Sequence, residues 1–311
     1  GGPTNFGWEQ YPPAVVLDDG GEPIVAWADN SGAIFVDQWD GLAWQRLGGG
    51  SVATGDWQVA VAMGATGPIV AFSPYVETRR EVHVLAWDGG AFAPLDGVGG
   101  DVSSTTTSSQ QPRLAVASDR TVFVAWQEGD LNGGELAVAS WDGACFRLLG
   151  GPGGATITDG AARAGPPALA LGAGDEPIVA WFQRVAARAY ELRGRQLDGS
   201  EWAPLGGDET VADGFCDIRV GARAPALATD GAGRPVVAWT DDRTGQYEIY
   251  LLRWNGGAWV DPGGVATGGG LSNSTAASLH PWIASLAGRT CVAWDEFGRV
   301  AKQIVLRCAD F

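Results

Sequence analysis

Lysine is almost missing from this chain: one occurs among 311 residues, and an excess of acidic over basic residues sets the formal charge at −16. Phosphate recognition needs a basic stripe, and none is present, which disfavours nucleic acid and anionic membrane surfaces as partners. The acidity supports solubility instead. No apolar run approaches the roughly 18 residues of a membrane-spanning helix, so membrane insertion is excluded as well. No signal-peptide pattern is visible either, as in a mature, processed chain. Also missing is any stretch with a capped 3.6-residue apolar period, so almost no helix is expected. Histidine is limited to two residues. Cys-x-x-Cys, His-Glu-x-x-His and EF-hand spacings do not occur. The Gly runs at 48–50 and 268–270 end strands rather than open helices, which rules out phosphate loops.

What the chain has in abundance is glycine, with 48 residues, and tryptophan, with 15. Both are distributed by a repeat. The phrase ending in Val-Ala-Trp recurs at Ile24–Trp27, Ile69–Phe72, Phe123–Trp126, Ile178–Trp181, Val236–Trp239 and Cys291–Trp294, at spacings of 45 to 58 residues. Six near-equal copies mean an array of supersecondary units.

The fullest unit runs from Pro225 to Gly264 and holds four short segments rich in β-branched and aromatic residues. Each is bounded by Gly, Asp, Asn or Pro, the signature of a strand. The second segment is apolar at every position and the third on both parities, so both faces of the sheet are covered. Four-stranded sheets buried on both sides, six times over, are blades. Radial closure leaves only short protected edges, and the expected fold is an all-β, six-bladed β-propeller. The blades are expected near 11–49, 57–100, 111–151, 166–207, 224–264 and 280–311. The third and fourth strands meet at Trp39-Asp40-Gly41, Trp87-Asp88-Gly89, Trp141-Asp142-Gly143, Leu197-Asp198-Gly199 and Trp254-Asn255-Gly256, hairpin turns that tolerate positive φ. Blade 6 ends at Phe311 without its outer strand. It is then incomplete, closed by residues 1–10, or completed from a longer precursor.

Two cysteines interrupt the repeat in that same blade. Cys291 replaces an aliphatic or aromatic residue, and Cys308 stands where four blades have Trp. Two readings are open: a pair of buried thiols, or a cross-strand disulfide stapling the short blade, which would place the protein in an oxidising compartment, secreted or at the cell surface. Cys145 in a hairpin turn and Cys216 in an inter-blade loop are not expected to pair.

The unit Pro-x-Val-Val-Ala-Trp-x-Asp followed by Glu-Ile-Tyr-x-x-Arg-Trp-Asn-Gly-x-x-Trp resembles the sialidase-like six-bladed propellers of secreted bacterial proteins, over essentially the whole chain. The Asp-Gly-x-x-Trp turn is similar to that superfamily's Asp box, but the Ser is absent and Asp adjoins Gly. The resemblance implies three arginines clamping a carboxylate, a Tyr–Glu nucleophile pair and an acidic proton donor. These types are present but not concentrated, and Glu248 and Tyr250 lie on a strand common to the repeat. A divergent sialidase-like glycoside hydrolase is therefore the third reading.

Two polar patterns remain. Two residues beyond the Val-Ala-Trp aromatic stand Asp29, Glu128, Gln183, Asp241 and Glu296. Each is either hydrogen-bonded by its own loop, or the acids form a ring attracting Ca²⁺ or a cationic group. Twelve tryptophans fill repeat positions and pack the blades. Trp8, Trp57 and Trp282 do not. With Tyr11, Tyr75, Arg79, Arg184, Phe215, Arg243 and His280 they are expected on one rim, as either chance loop residues or a binding face of aromatic planes and directional polar groups. His83 reads as a packed strand histidine. The expectation is a non-catalytic extracellular module, binding glycan through that rim, with a protein-interaction scaffold as the alternative.

Overall fold

The computed structural model describes residues 13–55, 58–96, 102–103, 105–129, 134–150, 156–158, 163–186, 189–206, 210–216, 225–286, 288–298 and 302–310; at 186, 189, 210–216, 286 and 310 only the backbone is described. Among the described residues there is no helix. Six antiparallel sheets make the blades of a six-bladed β-propeller.

The chain divides into two units, one carrying blades 1–3 and the other blades 4–6. In the first unit, blade 1 orders its strands Ala14–Leu17, Pro23–Ala28, Ala33–Trp39 and Trp44–Arg46, and a short strand Ala53–Thr54 extends the third. Blade 2 uses Val59–Met63, Pro68–Phe72, His83–Trp87 and Phe92–Pro94. Blade 3 uses Ser109–Val116, Val122–Glu128, Glu135–Trp141 and Phe146–Leu148. First strands of adjacent blades adjoin, which makes the first strand the innermost.

The second unit repeats the plan. Blade 4 comprises Ala168–Leu171, Pro177–Ala186, Ala189–Asp198 and Glu201–Pro204; blade 5 comprises Ala226–Thr229, Pro235–Asp241, Glu248–Trp254 and Trp259–Val260. Blade 6 has three strands among the described residues: Ala277–Leu286, Arg289–Phe297 and Lys302–Asp310.

The Val-Ala-Trp phrase is the second strand of every blade, and its all-apolar pattern follows from sheets stacked on both sides. Ile24, Ala26, Ile34 and Val36 of blade 1 pack on Val59, Val70 and Phe72 of blade 2. Val236, Ala238, Ile249 and Leu251 of blade 5 pack on Val292 and Trp294 of blade 6. Trp126, Trp181, Trp239 and Trp294 are fully buried, each contributing on the order of 3 kcal/mol.

Two departures from the sequence reading matter. Cys216 was expected in an inter-blade loop, but it ends a strand, Thr210–Cys216, that adds a fifth member to blade 4 by pairing with Ala189–Asp198. That blade's second and third strands run ten residues each, so Arg184 lies in a strand opposite Tyr190 and not in a loop. Cys291 and Cys308 stand directly opposite in the ladder and form a disulfide. The Cys145 thiol is exposed.

Candidate functional site

Innermost strands begin at the rim that carries the inter-blade linkers and the loops between second and third strands. In blades 3 and 6 this start is irregular: blade 3 shifts register between Gln110 and Arg113, with Gln111 at φ 58° before Pro112, and blade 6 does the same with a histidine. Between Leu279 and Trp282 the register against Arg289–Phe297 shifts, and His280 takes the left-handed conformation, φ 57°. Proline at 281 removes a ladder donor where the bulge forms, and a non-glycine residue at positive φ is strained. Such bulges re-aim a side chain. Here the redirected group is an imidazole, and its Nδ1 lies 2.9 Å from Asp295 Oδ2. His280 was expected in a loop; the structure puts it inside a strand, at that bulge.

Asp295 Oδ2 also receives the ammonium of Lys302, the only lysine in the chain, at 3.0 Å. Burial pushes the Asp295 carboxyl up, but hydrogen bonds from His280 and Lys302 outweigh it and hold the group below the ordinary carboxylate range. An ionised carboxylate on Nδ1 fixes the tautomer and the orientation of the ring, whose Nε2 is buried in this conformation. Two residues along, Trp282 is 54% exposed, unlike the other tryptophans among the described residues. The ammonium also sits 5.0 Å from the ring centroid of Phe297. The segment thus carries an oriented imidazole and an exposed indole, and the imidazole's carboxylate partner also holds a cation from the third strand. Asp295 and Lys302 were not anticipated. The signal was there, because Asp295 is the single acid directly after the second-strand aromatic, where the other blades have Ala28, Ser73, Gln127, Phe182 and Thr240.

The remaining rim candidates are placed apart. Tyr75 and Arg79 belong to a two-strand hairpin, Tyr75–Val76 against Arg79–Arg80, in blade 2. Tyr75 is exposed, with the Arg80 guanidinium 4.4 Å from its ring centroid, and Arg79 pairs with buried Glu81. Arg243 is bonded to Asp241 at 2.5 Å and covers the Tyr250 ring at 4.6 Å. Trp8, Tyr11 and Trp57 lie outside the described residues, as does the side chain of Phe215. His83 stacks on Phe72.

The acids of the expected ring are each engaged at home. Asp29 caps a turn through Ser31 and Ala33. Glu128 accepts from Thr105, Thr107, Ser109 and the Trp126 indole. Asp241 holds Arg243, and Glu296 accepts from Gln303 at 3.1 Å. Among the described residues, no three His, Cys, Asp or Glu side chains converge as a metal site would require. Tyr250 and Glu248 do not form a nucleophile pair. Tyr250 is fully buried, its hydroxyl donating to the Gly268 carbonyl, and Glu248 receives the hydroxyl of Ser272.

No protein-family model and no curated protein matches the sequence. Solved structures do match its fold. The α-L-arabinofuranosidase of Fusarium graminearum in complex with arabinobiose is 13% identical, with a TM-score of 0.56 over 97% of this chain and 93% of its own. A polysaccharide lyase, an ulvan lyase bound to its sugar, is 11% identical, with a TM-score of 0.60 over 94% and 79%. The sialidase of Trypanosoma rangeli is 11% identical, with a TM-score of 0.58 over 96% of this chain and 54% of that one. The likeness is to sialidase-like propellers, as a fold. It corrects the expectation of a non-catalytic module, since the neighbours spanning the whole chain are enzymes that act on glycans.

Proposed function

We propose that this protein is a glycan-cleaving enzyme, a glycoside hydrolase or a polysaccharide lyase, exported to an oxidising compartment. The observation that carries the reading is the His280–Asp295 pair on a strained bulge of an innermost strand. Blade 3 has the same bulge with Gln111 at φ 58°, so what is particular to blade 6 is the imidazole–carboxylate pair set on it. His280 is the proton acceptor, through an Nε2 that substrate binding has to uncover, Asp295 and Lys302 set its orientation and local field, and Trp282 offers a plane for a sugar ring. Supporting this, the fold neighbours include two arabinan-degrading enzymes, a lyase and a sialidase. The disulfide supports export.

Hydrolysis and elimination use such a histidine differently. In the first it takes a proton from water; in the second it takes the ring proton beside a uronate carboxylate. The test is incubation with neutral and uronate-containing polysaccharides, following reducing ends together with the ultraviolet absorbance of an unsaturated product. Reducing ends alone mean hydrolysis, and both signals mean elimination. His280→Ala should lower the rate by on the order of 10²–10⁴-fold. Failure of the wild-type protein to cleave any of them, or full activity in His280→Ala, would overturn the reading.

A further inference from the structure

At the opposite end of blade 4 from its inter-blade linkers, where first and second strands turn, the repeat is broken. In blades 1, 2, 3 and 5 the third strand ends on Trp39, Trp87, Trp141 and Trp254, each facing the aromatic that opens the fourth strand. Blade 4 has Leu197, facing Trp202. In blade 2 the indole of Trp87 lies so close to Gly67, just before the second strand, that an added Cβ would come within 2.6 Å. In blade 4 the residue at that place is Glu176, as Glu22 is in blade 1, but the third strand carries Leu197 where blade 1 has Trp39.

A cleft of about 450 Å³ opens there, lined by Glu176, Gln196, Leu197, Asp198, Pro204 and, from blade 5, Trp254. Its walls are fixed. Glu176 accepts from Gln196 Nε2 at 2.6 Å and from the Gly174 amide at 2.8 Å. The turn of blade 5 presses on that of blade 4, leaving no room for a Cβ at Gly233 beside Ala173. The Trp259 indole ties the two blades by donating to the Leu205 carbonyl at 2.9 Å.

We propose that this cleft is a second glycan-binding site, remote from His280, that takes a neutral oligosaccharide. Trp254 and Pro204 supply apolar surface for the C–H face of a sugar ring. Glu176 and Asp198 offer carboxylate oxygens to ring hydroxyls, which are donors, and hydrogen bonds to charged acceptors are the strong ones. The same two carboxylates repel a uronate or sulfated sugar. A site of this kind holds the substrate chain to the enzyme without touching the bond that breaks. The ligand class rests on the glycan reading above, whereas the site itself does not depend on His280.

The experiment is calorimetric titration of the full chain with arabino-, xylo-, cello- and malto-oligosaccharides, with oligogalacturonate and a diamine as charged controls. Binding of at least one neutral series is expected. Leu197→Trp restores the residue of blades 1, 2, 3 and 5, so it should fold and fill the cleft. It should weaken binding by roughly tenfold or more, an effect of the size one stacked ring provides. Trp254→Ala should do the same, and His280→Ala should bind as the wild type does. No neutral binding, binding undiminished in both cleft variants, or preference for a charged control would overturn the proposal. Binding without cleavage of any polysaccharide would instead defeat the catalytic reading and leave this one standing.

Discussion

Asp295 is the residue on which the most interactions of the candidate site depend, because one oxygen serves both an imidazole and an ammonium. Its pKa is lowered in the folded protein, so it contributes stability above the carboxyl's unfolded value near 4. That contribution is lost as pH falls through the folded value. Wild type should therefore lose more melting temperature than Asp295→Asn between pH 6 and about 3. Parallel slopes in thermal melts of the two proteins would disprove the linkage. Asp295→Asn should also slow any cleavage by misplacing the proton on His280, a change of rate and pH profile rather than of fold. A more deeply buried carboxylate, Asp37, receives the Trp27 indole at 2.6 Å and the Arg46 guanidinium. There the arrangement is structural, since the group is closed off by blade packing. Both acids accept from two side chains, but Asp37 is 4% exposed and Asp295 22%. A further difference is the strained bulge and the exposed indole beside Asp295.

Hairpins are the elements that make the repeat readable. In Trp-Asp-Gly-x-x-Trp the Asp or Asn oxygen accepts from the amides two and three residues on: Leu42 and Ala43 from Asp40, Gly90 and Ala91 from Asp88, Gly257 and Ala258 from Asn255. The glycine between sits at φ 90° to 103° in these three turns, which is why it is glycine. Around Gly256 an added Cβ would meet nothing within 4 Å, so substitution there costs only backbone strain. Gly256→Ala should destabilise by about 1–2 kcal/mol. Gly257→Ala, where φ is not positive, should be close to neutral in the same urea titration. Equal effects would mean that the turn relaxes freely. These turns, the second-strand phrase and the cysteine pair were all legible, because local chemistry and repetition point the same way. The bulge was not. It arises from a register slip against the neighbouring strand, and His280-Pro281 reads locally as a loop. The extra strand of blade 4 and the two long strands beside it were hidden for the same reason, being set by tertiary pairing in a stretch without strong apolar alternation.

At the scale of the whole molecule, the repeat supplies a uniform scaffold, and function is sought where the copies differ. Blade 4 has Leu197 in place of a tryptophan, beside a cleft; blade 6 shares its bulge with blade 3 but carries there an imidazole paired with Asp295, where blade 3 has Gln111 and Gln127. Blade 6 also differs in how it is held together. Among the described residues it has three strands where the others have four or five, and the third carries Ile304 and Leu306 with most of their surface exposed. Such an edge needs another restraint, and the Cys291–Cys308 bridge joins the second strand to the third across a separation of 17 residues. Closing a loop of that size in the unfolded chain is worth about 3 kcal/mol. The paired Cys291→Ser, Cys308→Ser variant should lose that much in equilibrium denaturation. Amide exchange should rise first along Lys302–Asp310, and then around His280, whose partners Asp295 and Lys302 sit on the strands the bridge joins. Reducing agent should do the same to the wild type and nothing to the double variant. Uniform loss of protection over blades 4 and 5 as well would mean the bridge secures the array rather than its last blade.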